Sequence, residues 1–207
     1  MKVFASALAA CLCAIQADAQ DFEARVRSPA GTPVMDAAVV LEPVERSAPI
    51  SKTGASIEQR DRDFVPYLTI VRKGTAVTFP NHDAVKHHVY SFSPAKTFEL
   101  KLYSGQSAQP VVFDKTGEVA LGCNIHDWME AHVLVVDTPW FARTGADGIA
   151  RIKSVPAGEY RLRLWHPRQK GAFAELSLRL PSKRVELSLD VAPRLVRPKP
   201  PADADGY

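Results

Sequence analysis

The chain has 207 residues, 46% of them apolar and 24% charged, enough for one or two domains with a buried core. Its 16 prolines, and the lack of long apolar stretches of helical period, exclude a helical bundle. A net charge of only +3, with no basic patch interleaved with aromatic residues, excludes nucleic acid as a partner.

Residues 1–20, "MKVFASALAACLCAIQADAQ", have the three parts of a cleavable export leader. Lys2 is the positive start, Val3 to Ile15 the apolar run, and "ADA" at 17–19 the small-x-small cleavage site. The run is too short for a stable anchor, so no membrane span is expected. The implied location is periplasmic or secreted. "LAAC" at 8–11 also has the form of a lipobox, but the apolar run before Cys11 is very short, so a lipoprotein ranks second. Export removes Cys11 and Cys13 and leaves Cys123 alone. In an oxidising compartment such a cysteine is a reactive thiol, half of an intermolecular disulfide, or a metal ligand.

The mature chain reads as short strands: "YLTIV" (67–71), "TAVTF" (75–79), "HHVYSF" (87–92), "EVALG" (118–122), "HVLVVD" (132–137), "GIARI" (148–152), "YRLRLW" (160–165) and "AELSLRL" (174–180). Turn signals at Lys73-Gly74, Pro80-Asn81, Ser104-Gly105, Thr116-Gly117, Asp147-Gly148 and Ala157-Gly158 separate them. Regular short strands with this punctuation predict an all-β sandwich or barrel. "YRLRLW" and "LSLRL" alternate, so one face of each is expected to be solvated. The Pro-rich, polar end from residue 193 reads as a disordered tail, 193–207.

Two distant blocks look like halves of one module. "VRSPAGTPVMDAAVVLEP" (26–43) and "TGADGIARIKSVPAGEYRLRLWHP" (144–167) carry Gly31, Pro33, Val34, Ala37 and Val39, then Thr144 and Gly148, then Pro156, Gly158, Tyr160 and Leu162. That pattern resembles the carboxypeptidase-regulatory-like, or transthyretin-like, β-sandwich family. It implies a discontinuous smaller sandwich over 21–45 and 138–192, with residues 46–137 inserted as a second one.

The chemistry is expected in "GCNIHDWMEAH" (122–132), where Cys123, His126 and Met129 stand three residues apart. A thiol, an imidazole and a thioether are not yet a metal site: a cysteine beside a histidine is often only packing, and a lone methionine is often core. A copper site of the blue type needs a second histidine from elsewhere. "FVPYLTIVRKGTAVTFPNHDAVKHHVYSF" (64–92) offers His87 and His88, and adjacent strand residues face opposite ways, so only one can point at the ion.

This stretch resembles the cupredoxin family of amicyanin- and plastocyanin-like blue copper proteins. The matching positions are Phe64, Pro66, Gly74, Val77 to Asn81, and His87 to Val89. The spacing of Cys123, His126 and Met129 is similar to that of the short-loop amicyanins, and closer still to exported cupredoxin-like proteins labelled methylamine utilization protein. The resemblance covers 64–137, well at both ends and poorly in the middle. It implies a Greek-key sandwich and one type 1 mononuclear copper held by His87, Cys123, His126 and Met129. Counting from Asn81 favours His87 over His88.

In these roles Cys123 binds as thiolate, the imidazoles bind neutral, and Met129 is the weak, potential-tuning ligand. Zinc would accept the same donors. In the family an asparagine at the position of His88 ties the ligand strand to the cysteine loop, so His88 is expected to tie it less well. His82, His132 and His166 are expected to support the site or lie at the surface. Asp127 and Trp128 differ from the family's loop and are expected to alter the docking surface or the axial distance.

The chain has no H-x-H pair, no second mature cysteine, no phosphate-binding glycine loop and no G-x-S-x-G. The expected function is an exported single-electron carrier, not an enzyme, exchanging electrons transiently with a periplasmic dehydrogenase or cytochrome. The rival readings are a copper-delivery protein and an adhesion or carbohydrate-binding module.

Overall fold

The computed structural model describes residues 19–45, 54–105, 109–171, 174–182, 184–195, 197–199 and 201. The leader up to residue 18, and the expected domain boundary at 46, lie outside them. Among the described residues there is no helix, so none is long and apolar enough to cross a membrane. The protein is all-β.

Among the described residues seventeen strands follow one another: β1 (Ala19–Arg27), β2 (Ala38–Pro43), β3 (Gly54–Ser56), β4 (Glu58–Arg60), β5 (Asp63–Val65), β6 (Leu68–Arg72), β7 (Thr75–Thr78), β8 (His87–Ser93), β9 (Lys96–Tyr103), β10 (Val111–Phe113), β11 (Gly117–Gly122), β12 (Glu130–Val136), β13 (Phe141–Arg143), β14 (Ile149–Pro156), β15 (Gly158–Trp165), β16 (Ala174–Leu180) and β17 (Val185–Ser188). β1 starts inside the assigned leader, with Ala19 and Gln20 paired to Pro156 and Val155.

Apart from β4 and β5, which pair as a two-stranded ribbon, the strands form two packed pairs of sheets. The sheets β14-β1-β17 and β13-β2-β15-β16 close on one core around Phe22, Leu41, Ile152, Tyr160 and Leu162. The sheets β10-β7-β3 and β6-β12-β11-β8-β9 close on another around Phe79, Phe113, Val89 and Val133, which also holds Cys123 and Met129. A third cluster, Ala38, Val40, Leu68, Leu134, Val136 and Trp165, joins the four-stranded sheet to the five-stranded one. β2 and β12 therefore bury both faces, which is why "AVVL" and "VLVV" are unbroken apolar runs. β15 faces solvent on one side, and Glu159 and Arg161 are exposed between buried Tyr160 and Leu162.

The two distant blocks of the sequence meet in the first pair of sheets: β1 pairs with β14, and β2 with β15. Their motif residues have identifiable jobs. The Thr144 hydroxyl donates to the Val34 carbonyl at 2.7 Å and accepts from the Ala37 amide at 2.8 Å, stapling the turn before β2. Gly148 has φ +72°, and a side chain there would meet the Val26 carbonyl at 2.6 Å.

Of the C-terminal segment that composition reads as a disordered tail, residues 193–195, 197–199 and 201 are described, and their basic side chains lie against the loops beneath. Arg194 stacks on Tyr67 at 4.3 Å, Arg197 donates to the Asp127 carbonyl at 3.0 Å, and Lys199 donates to the Asp61 carbonyl at 2.9 Å and pairs with Asp63. Charge complementarity along the loops beneath holds these basic residues, and composition alone does not register it.

Candidate metal centre

The centre is assembled from two loops at one end of the second pair of sheets. The first runs from β7 to β8 and is closed by Asn81. Its amide nitrogen donates to the carbonyls of Val85 at 2.9 Å and Tyr103 at 3.0 Å, while its oxygen accepts from the Asp83 amide at 2.9 Å. This turn aims Asp83 at His87, the first residue of β8. The second loop leaves β11 at Cys123 and re-enters the sheet after Met129. It is closed by the Met129 amide donating to the His126 carbonyl at 2.9 Å.

His87, Cys123 and His126 come together, with one donor atom of each within 4.8 Å of the others. The His87 and His126 Nδ1 atoms are 3.1 Å apart, and the Cys123 Sγ lies 3.6 Å from His126 Nδ1. All three side chains are buried, His87 completely. Met129 is buried in the same apolar cluster as Cys123.

These separations can be tested against a shared ion. Metal–nitrogen bonds of about 2.0–2.1 Å and metal–sulfur bonds of about 2.3 Å, at angles near tetrahedral, put nitrogens roughly 3.1–3.4 Å apart and sulfur roughly 3.3–3.8 Å from nitrogen. The observed distances fit, and the sulfur and imidazole donors suit copper or zinc rather than magnesium or calcium.

Asp83 is the functional residue that sequence reasoning missed. Its carboxylate accepts from His87 Nε2 at 2.7 Å, which places the ring proton on Nε2 and turns the Nδ1 lone pair toward the centre. It also accepts from the backbone amides of Asp61 at 2.7 Å and Arg62 at 2.9 Å. Those two residues form the β4–β5 turn with φ +54° each, a left-handed pair that presents both N–H groups to Asp83. Burial alone would raise the Asp83 carboxyl, but the Arg62 amide, the His87 ring and the Asp61 amide outweigh it and hold it below its ordinary value. The available signal was a carboxylate four residues ahead of a candidate ligand histidine, in "NHDAVKH".

His88 points to the other face, as strand alternation requires, and its Nε2 lies 2.8 Å from the Glu99 carboxylate on β9. Its Nδ1 is buried without a partner, so no His88 bond ties β8 to the cysteine loop. His82 is exposed, 3.8 Å from Glu58. His132 and His166 stay away from the centre and sit beside Tyr67 and Arg168, where they neither support it nor lie open to solvent.

Tyr103 and Gln59 brace the β7 end of the site. The Tyr103 hydroxyl donates to the Phe79 carbonyl at 2.6 Å and accepts from Gln59 Nε2 at 2.6 Å. Burial pushes that hydroxyl up to about 12, with Gln59 pulling it down and Cys123 adding to the rise. Over the outer side, the Trp128 ring lies 5.1 Å from the His126 ring and donates from Nε1 to the Arg62 carbonyl at 2.9 Å. His126 is consequently only 2% exposed.

No family profile matches the sequence, and no curated protein matches it. Among solved structures, a copper-containing nitrite reductase from Thermus scotoductus SA-01 is 20% identical, over 46% of this chain and 25% of that one, with a TM-score of 0.39. This chain thus spans a quarter of the reductase it matches. A reduced Cu(I) amicyanin variant is 16% identical over 47% of this chain and 98% of that one, with a TM-score of 0.37. A purple cupredoxin from Nitrosopumilus maritimus is 23% identical over 40% of this chain and 99% of that one, with a TM-score of 0.36.

Proposed function

We propose that this chain is an exported copper protein of the cupredoxin type that carries single electrons and catalyses no bond chemistry itself. The observation that carries this reading is the meeting of three buried donors, His87 Nδ1, Cys123 Sγ and His126 Nδ1, within 4.8 Å. Met129 is proposed as the fourth, weak ligand. Bound copper would supply a one-electron couple between Cu(I) and Cu(II).

The protein's own part is to hold the donors still. His87 is fixed through Nε2 by Asp83, which is in turn fixed by two backbone amides. The Met129–His126 turn fixes the other three donors relative to one another. A first shell supported in this way changes little between oxidation states, which favours fast electron exchange. The burial of every donor weighs against the rival copper-delivery role, which requires ligands that a recipient can reach. His126 and the Trp128 ring against it form the proposed route to the surface. The proposed partner is a periplasmic dehydrogenase or cytochrome, engaged transiently.

The outer pair of sheets, from 21–45 and 138–192, is proposed as a second domain that receives residues 46–137 as an insertion. The return of β13 beside β2 supports this.

The test is the visible absorption spectrum of the Cu(II)-loaded protein. An intense thiolate-to-copper band that disappears in Cys123→Ser is the expected result. A wild-type protein that binds Cu(II) without such a band would overturn the reading.

A further inference from the structure

A second polar site lies away from the metal centre, where the C-terminal segment crosses the junction of the two pairs of sheets. It is a cleft of about 390 Å³, with Tyr67, His166, Arg168 and Arg194 among its walls. His166 follows β15 and is 0% exposed. Its Nδ1 accepts from the Arg168 amide at 2.9 Å, and its backbone amide donates to Gln169 Oε1 at 3.0 Å, so the ring is fixed in place.

That geometry sets the tautomer. With Nδ1 accepting, the neutral ring carries its proton on Nε2, and this buried N–H has no hydrogen-bond partner. The Met35 backbone lies close enough to interact with the ring, though not in full hydrogen-bond geometry. The Tyr67 hydroxyl and the Arg168 side chain face one another, but neither that hydroxyl nor the Arg168 Nε has a partner in full hydrogen-bond geometry. Three buried donors in one place without a fully formed hydrogen bond are unusual in a folded protein.

The cleft is also short of negative charge. Arg194 stacks on the Tyr67 ring at 4.3 Å and Arg168 lies over the same ring at 5.9 Å. Arg194 has one carboxylate nearby, Glu130 at 3.7 Å, and Asp36 on the cleft wall is already held by Arg143 at 2.8 Å. Burial first, and then Arg194 and Arg168, push His132 down to about 4, and burial followed by Arg168 and His132 does the same to His166.

We propose that this cleft binds the oxyanionic group of a small solute, a carboxylate or a phosphate, through the Arg168 and Arg194 guanidiniums, the His166 Nε2–H and the Tyr67 hydroxyl. Two guanidiniums and two neutral donors around one pocket match the acceptors of such a group. The site is separate from the copper reading and stands without it.

The test is calorimetric titration of the full mature chain at pH 7 and constant ionic strength, with inorganic phosphate in one arm and succinate in the other. NMR of the His166 side-chain N–H runs in parallel. Saturable binding of either probe, with a shift of the His166 Nε2–H resonance, is expected, and the tighter arm identifies the class. Arg194→Gln, at a half-exposed position, is expected to weaken binding roughly tenfold or more, and Tyr67→Phe by less. Absence of saturable binding in both arms overturns the proposal, as does binding unchanged in both variants.

Discussion

Tyr90 lies across Gly122 so closely that a methyl group on the glycine would stand 2.8 Å from the phenol ring. The two residues are partners across β8 and β11, and the next residue along the chain is Cys123. A side chain at 122 must push the ring, or the strand that carries the thiol, out of place. Gly122→Ala is therefore expected to cost about 1–3 kcal/mol of stability in urea unfolding. In the copper-loaded protein the thiolate band should move as well. An unchanged unfolding midpoint would show that Tyr90 swings aside freely.

Asp83 offers a sharper test of how the centre is supported. Asp83→Ala leaves every donor atom in place but removes the acceptor for His87 Nε2 and for the amides of the β4–β5 turn. Copper affinity is expected to fall about 10–100-fold, read by competition with a chelator. Asp83→Asn, which keeps an acceptor oxygen, should fall less.

His166 in the cleft and His132, packed against Tyr67, make stability depend on pH. Their folded values lie near 4, against 6.5 for an ordinary imidazole. Between these limits the unfolded chain binds protons that the folded chain refuses, so stability rises with pH and is lost as pH falls from about 6.5 toward 4. Urea midpoints measured across that window should drop steadily. The slope should shrink by up to one proton in His166→Gln.

The C-terminal segment gives a prediction about access to the redox loop. A chain ending at Arg194 loses the Arg197 contact to Asp127 and the Lys199 contacts to Asp61 and Asp63. The copper spectrum should be unchanged, while reduction by a small charged reagent, followed by stopped flow, should be several-fold faster. An unchanged rate would mean that Trp128 alone shields His126.

The sequence was informative where a pattern is local. The eight strands read from β-branched runs all appear, within two residues of their expected ends except β14, which runs four residues further, to Pro156. Strand alternation and the count from Asn81 favoured His87 over His88, and it is His87 that lies beside Cys123 and His126. β9 was missed because "KTFELKLY" is a charged strand at the edge of its sheet, where its apolar side chains are only half-buried. β3, β4 and β5 have three residues each, too few for any period to register. Asp83 and the oxyanion cleft were not legible for another reason. Asp83 acts through a hairpin twenty residues earlier in the chain, and the cleft unites Tyr67, His166, Arg168 and Arg194 only after two pairs of sheets have packed.

The pairing of β2 with β13 has a practical meaning. Phe141 lies opposite Val40, and the Leu41 amide donates to the Trp140 carbonyl at 2.8 Å. The chain thus departs and comes back on adjacent antiparallel strands, so under the proposed insertion a short hairpin turn is expected to replace everything between Pro43 and Trp140. The shortened protein would keep its own interior but bare Ala38, Val40 and Trp165, which now rest on Leu68, Leu134 and Val136. Polar substitutions at those three positions are the modification that would let the remnant stand as a soluble scaffold, ready to accept a foreign module at the same seam.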